Sequence, residues 1–176
     1  MLFINPNWRW QFCPQQGTLQ LCLDASTVLC SGLTQKQLRH CPVQQGDVAA
    51  LTLEHAGLLM EQLEQLESLV PAELAMPCAL RLMAIRHFAA AAVQKSHYFQ
   101  FGTASRAMAD YSLVLLAGQS PAKALLFACE GQTADCLLLE SVHTLTGKEL
   151  SALSHVRVLA NRLSPFSSGS AYLLSA

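Results

Sequence analysis

HAGLLMEQLEQLESLVPAELAMPCALRLMAIRHFAAAA, residues 55–92, is the stretch on which the fold turns. Leu59, Leu63, Leu66 and Val70 recur at helical spacing, while Glu61, Glu64 and Glu67 lie off that stripe and face water. A helix is therefore expected from His55 to Leu69, closed by Pro71. A second is expected from Pro77, tolerable in a first turn, to Ala92, with Leu80, Met83, Ala84 and His87 or Phe88 on its inner face. The glutamates could form an acidic binding face, but a solvated helix surface accounts for them more simply.

Upstream of the pair the period is two. In NWRWQF (residues 7–12), Trp8, Trp10 and Phe12 alternate as in a strand, and PQQG (residues 14–17) has turn chemistry. Leu19, Leu21 and Leu23 alternate next, which makes a hairpin. Thr34 caps a short helix, TQKQL, with Gln37 placed for a capping box. Asp47 to Leu53 reads as another strand. Downstream, strands are expected at 97–102, 106–111, 112–116, 123–129, 135–140 and near His143, with turns at 118–121 and 130–132. Short strands this closely spaced suggest a small antiparallel sheet or barrel. A last helix is expected from Lys148 to Leu163, with Leu150, Leu153, Val156 and Leu159 inward, ended by Pro165 and followed by a mobile Ser-rich tail at Ser167, Ser168 and Ser170.

The chain has 176 residues, room for one domain or two small ones, and a chain of this size buries about 70% of its unfolded surface. Hydrophobic residues make up 52% and charged residues only 13%, which excludes a disordered chain. Formal net charge is −1, so there is no basic excess to neutralise the phosphates of a nucleic acid. The seven cysteines are odd in number and follow no secretory signal, so all seven are expected reduced, as small hydrophobes in a cytoplasmic interior. No apolar run approaches the roughly 20 residues that span a bilayer.

No catalytic or metal-ligating pattern emerges. Cys129 and Cys136 are seven apart, Cys22 and Cys30 eight, and neither spacing is that of a zinc site. Adjacent His40 and Cys41 splay apart. Gly147-Lys148 has Val142 where a phosphate loop needs its first glycine and Glu149 where it needs a hydroxyl. Ser167 to Ser170 is not a nucleophile elbow. His87 reads as a core histidine. Arg9, between two tryptophans, either stacks on an indole or belongs to an exposed anchor. Arg157 and Arg162 either compensate the dipole of the expected last helix or form a binding patch.

Five segments, NWRW (7–10), ALRLMAIRHF (79–88), KSHYF (95–99), LLFACEGQTADCLLLE (125–140) and NRLSP (161–165), in this order, resemble the cell-division protein family ZapC along nearly the whole chain. His97 stands where the family has a tryptophan, and Ala89 or a neighbouring alanine where it has a basic residue. The resemblance implies an α+β fold: an N-terminal α/β lobe with a helix pair and a C-terminal twisted antiparallel, barrel-like lobe. The residue reading agrees and adds a terminal helix, dividing the chain at 1–94 and 95–176. The resemblance further implies a cytoplasmic, non-enzymatic partner of the globular core of FtsZ polymers, acting at the division septum to bundle protofilaments and stabilise the Z ring. It implies no cofactor, small-molecule substrate, nucleic acid or membrane. The family's basic residues around a C-terminal pocket would map onto Lys95, Lys148, Arg157 and Arg162, and Trp8, Arg9, Trp10 and Arg86 are candidates for a second surface. Two other readings stand beside this: a small cytosolic enzyme with a Cys/His pocket between the lobes, and an interaction module that no longer binds FtsZ.

Overall fold

The structure, a computed structural model, describes residues 5, 7–39, 49–50, 52–104 and 108–167. The chain forms two compact units, Met1–Ala92 and Val93–Ala176.

In the first unit, β1 (Arg9–Cys13) and β2 (Thr18–Cys22) form the hairpin, with Trp10 opposite Leu21 and Phe12 opposite Leu19. All four side chains are buried on one face. Gly17 turns the chain at φ +65°, a conformation glycine adopts without a Cβ penalty. β3 (Val28–Thr34) adds to β2, and β4 (Ala49–Ala50) adds to β1, giving an antiparallel sheet ordered β3-β2-β1-β4. β3 was not anticipated, because Cys30, Ser31 and Gly32 dilute its alternation. Thr34 and Gln37 do form a capping box, around a 3-10 turn of three residues. Asp47 and Val48 of the expected 47–53 strand lie outside the described residues.

α1 (Leu53–Glu67) starts where the Thr52 hydroxyl accepts the His55 N–H at 3.2 Å. Leu59, Leu66 and Val70 are buried, and Glu61, Glu64 and Glu67 are exposed, as the period requires. α2 (Ala72–Phe88) begins five residues before the expected Pro77 start, with Pro71 as its N-cap and the Leu74 N–H bonded to the Pro71 carbonyl at 2.8 Å. Pro77 lies inside the helix, where it cannot donate to the Glu73 carbonyl one turn before it. From Cys78 to Ile85 every residue is buried, so α2 has no solvent face there. Trp10 packs edge-on against Phe88, with centroids 5.3 Å apart, tying the sheet to α2.

In the second unit, β5 (Ser112–Ala117), β6 (Pro121–Glu130), β7 (Thr133–Leu138), β10 (His155–Leu159) and β11 (Leu163–Pro165) form an antiparallel sheet ordered β10-β7-β6-β5-β11. β8 (Val142–His143) and β9 (Glu149–Leu150) pair separately. Phe99, Val114, Leu116, Leu126, Cys136, Leu138 and Val158 are among the core residues. β10 and β11 stand at opposite edges, and no ladder joins them among the described residues; the sheet is open, not a closed barrel.

The expected helix from Lys148 to Leu163 is not formed. Val156 and Val158, β-branched and buried, alternate with His155, Arg157 and Leu159, which is strand periodicity. Leu153 has φ +63°, a conformation no right-handed helix accommodates. Pro165 thus closes an edge strand, where its missing N–H costs no ladder bond, rather than a helix. The expected 97–102 strand is a 3-10 turn at Ser96–Tyr98 followed by a bend at Phe99 and irregular chain. Of the expected 106–111 strand, Asp110 and Tyr111 form a turn and residues 106–107 lie outside the described residues, as do Ser168 and Ser170.

Candidate functional site

The four mapped cations all belong to the second unit, in three different settings. The segment from Gln94 to Ala104 runs beside residues 157–164. Lys95 N–H donates to the Arg157 carbonyl at 2.8 Å, Gly102 N–H to the Asn161 carbonyl at 2.8 Å, and Ala104 N–H to the Leu163 carbonyl at 3.0 Å. This brings Lys95, Arg157 and Arg162 onto neighbouring strips of backbone. Lys95 is half-buried, its Nζ 5.7 Å from the centroid of the Tyr98 ring. Arg162 is half-buried; its guanidinium lies 3.7 Å from the centroid of the Phe101 ring, and its Nη1 donates to the Phe99 carbonyl at 3.3 Å. Lys148, at the β8–β9 turn, is exposed.

Arg157 differs from these. It stands directly across the ladder from Asp135, to which Nη2 and Nε donate at 2.9 and 3.2 Å, and Nη2 also reaches Glu130 at 3.2 Å. His155 Nε2 lies 2.7 Å from the other Asp135 oxygen. Burial alone would raise the Asp135 pKa; the His155 and Arg157 bonds and charges outweigh it and hold the carboxyl below its ordinary value. The Arg157 charge is thus used inside the unit, and the long α-helix whose dipole was invoked for Arg157 and Arg162 is not formed: a three-residue 3-10 turn, Ala160–Arg162, stands there between β10 and β11.

In the first unit, Trp8 and Trp10 are 5% and 1% exposed. They are packing groups, which removes them from a second surface; Arg9 and Arg86 remain exposed. Arg9 and Cys22, paired across β1 and β2, line an open depression of about 300 Å³ with Asn5, Asn7 and the Leu23–Ala25 turn. The Asp24 carboxylate there is taken up by the turn: the Ser26 N–H and hydroxyl and the Thr27 N–H hold its pKa down at about 2.

Cysteines 13, 22, 30, 78, 129 and 136 are free thiols, and Cys41 lies outside the described residues, as does His40. Cys30 and Cys129 are exposed, so the expectation of interior thiols holds for Cys78 and Cys136 but not for these two. Burial pushes Cys78 up to about 11. Sequence reasoning missed Phe101, 72% exposed and stacked on Arg162, and the Asp135–Arg157 pair. The first had a signal in the alternation of Phe99 and Phe101. The second had none, since 22 residues separate the partners.

These features define an α+β protein of two compact units with a cation-bearing β scaffold in the second. Among the described residues no cluster of three or more His, Cys, Asp or Glu could hold a metal ion, and no helix is long and apolar enough to cross a membrane. A model of the N-terminal part of the cell-division protein ZapC matches residues 1–90. The chain belongs to this family, a family of cell-division accessory proteins, and its role is in cell division. A search of curated proteins finds no match.

Proposed function

We propose that this protein binds the globular core of FtsZ polymers, promotes lateral bundling of protofilaments and stabilises the Z ring at the division septum. The family match over residues 1–90 carries this reading. The contact surface is assigned to Lys95, Lys148 and Arg162 of the second unit, and the domains to 1–94 and 95–176. Arg157, spent on Asp135 and Glu130, contributes little to it. Cations around an apolar centre steer and orient an acidic protein partner, while the apolar groups supply affinity. The role needs no cofactor, metal, nucleic acid or membrane, and no catalysis. Bundling requires two contacts for each cross-link; Arg9 and Arg86 are candidates for the second, and a dimer would use one surface twice.

The test is co-sedimentation with FtsZ and GTP, with light scattering on the same sample. Pelleting and increased scattering are expected. Lys95→Glu combined with Lys148→Glu replaces two cations with anions and should weaken binding more than tenfold, about 1.4 kcal/mol, with an unchanged melting curve. A chain that neither pellets nor raises scattering overturns the proposal.

A further inference from the structure

Phe101 is a large hydrophobic side chain that the second unit holds in water on a hydrogen-bonded segment. It is 72% exposed, and its neighbours on both sides are pinned. Gln100 N–H donates to the Ala117 carbonyl at 2.7 Å, and its side-chain amide donates to the Gly118 carbonyl at 3.1 Å. On the other side, a Cβ on Gly102 would lie 2.0 Å from the Leu163 carbonyl oxygen, so glycine alone lets the backbone pack this closely. The backbone that carries the phenyl ring therefore cannot shift without breaking the packing of residues 100–104 on β5 and β11. One face of the ring is covered by the Arg162 guanidinium, itself fixed by its bond to the Phe99 carbonyl.

The same segment presents other groups of one character. The Tyr98 carbonyl accepts the N–H of Leu145, which is 45% exposed, and Lys95 Nζ lies over the Tyr98 ring. Isolated exposed hydrophobics are ordinary on protein surfaces. A fixed phenyl stacked with a guanidinium, on a segment that also carries a second cation and a second aromatic, is what a binding hot spot looks like before it is covered. Its order is already in place, so docking there loses little conformational freedom.

We infer that Phe101, held by Arg162, is the apolar anchor of the polymer-binding surface, and that it receives an apolar side chain flanked by carboxylates on the FtsZ polymer. This rests on the FtsZ reading above. The carboxylates follow from charge complementarity: Arg162 stacks on the ring and Lys95 lies on the same segment over Tyr98, and an anion-flanked apolar group satisfies the cations and covers the phenyl together.

The experiment is co-sedimentation of the full chain with GTP-polymerised FtsZ over a salt series, for wild type, Phe101→Ala, Phe101→Leu and Arg162→Gln. Phe101→Ala should weaken binding at least tenfold at every salt concentration and leave the salt dependence parallel to wild type, because an apolar contact is not screened. Phe101→Leu, which keeps apolar bulk, should retain most of the affinity. Arg162→Gln should flatten the salt dependence. Melting curves of the two Phe101 variants should match wild type, since the ring is mostly in water. If wild type pellets and Phe101→Ala binds equally well, the anchor is overturned while the FtsZ reading survives. If Phe101→Leu loses as much as Phe101→Ala, the ring only positions Arg162, and the anchor is again overturned. A wild-type chain that fails to pellet overturns both.

Discussion

Arg81 on α2 of the first unit and Arg157 on β10 of the second are both guanidiniums withdrawn from water, and their surroundings are opposite. Arg81 is 5% exposed; its Nη1 donates to the Ser31 carbonyl at 3.0 Å, its Nε has no partner, and no carboxylate pairs with it among the described residues. Burial lowers its pKa to about 10, with a small opposing effect of Cys30. Arg157 keeps a quarter of its side chain in water and is held by two carboxylates. A buried charge without a counter-charge costs desolvation that a single carbonyl bond returns only in part, whereas a paired one becomes part of the framework. The first unit tolerates its cation; the second is built around its own.

The largest effect that tests this contrast is Arg157→Met. It strands the Asp135 carboxylate, 11% exposed, with His155 as its remaining partner, and should cost about 3 kcal/mol in urea unfolding. A loss below about 1 kcal/mol would make the pair incidental.

Next is the dependence on pH, where the units should part. The Asp135 pKa is depressed in the folded state, so its contribution is complete above about 3.9, the ordinary carboxylate value, and is lost as pH falls through the folded value. His87 is also depressed, by burial first and then by His55, whose ring is 4.1 Å away, and by Arg86, against an opposing Glu54. Its contribution is complete above about 6.5 and declines as pH falls towards the folded value. Unfolding followed by Trp8 and Trp10 fluorescence should thus weaken from near pH 6, and His87→Gln should remove that limb. Asp135→Asn should remove only a limb below pH 4. A profile flat to pH 4 refutes the first.

Smaller still is Arg81→Met. An apolar side chain of similar length relieves the desolvation and forfeits one bond to Ser31, so stability should stay within about 1 kcal/mol of wild type, on the favourable side. A loss like that of Arg157→Met would erase the contrast. Smallest is Glu130→Gln: its side chain is 82% exposed, and the change should cost no more than about 0.5 kcal/mol and vanish in high salt.

Legibility along the chain followed the range of the interactions. α1, the β1–β2 hairpin and the Thr34–Gln37 box were readable because a stripe, a turn and a cap are complete within a few residues. The 150–163 segment misled because Leu150, Leu153, Val156 and Leu159 are spaced by three, close enough to a helix to mask the Val156/Val158 alternation. Pro77 misled in the same way, suggesting a start for a helix that begins at Ala72. The candidate cations could be named from the chain, but their roles could not: Arg157 and Arg162 are five residues apart, and one faces carboxylates while the other faces Phe101.

By itself the sequence determined the α+β class, the helix pair, the change to strands after it, and the segments that resemble the ZapC family, because each rests on local period or local motif. Only the tertiary structure decided that the last segment pairs as β10 and β11, that the two tryptophans are packing, and which cations are spent and which face water. A strand closes its hydrogen bonds on a neighbour far along the chain, and a charge is neutralised by whatever the fold brings within about 3 Å. Neither partner is written in the residues beside it.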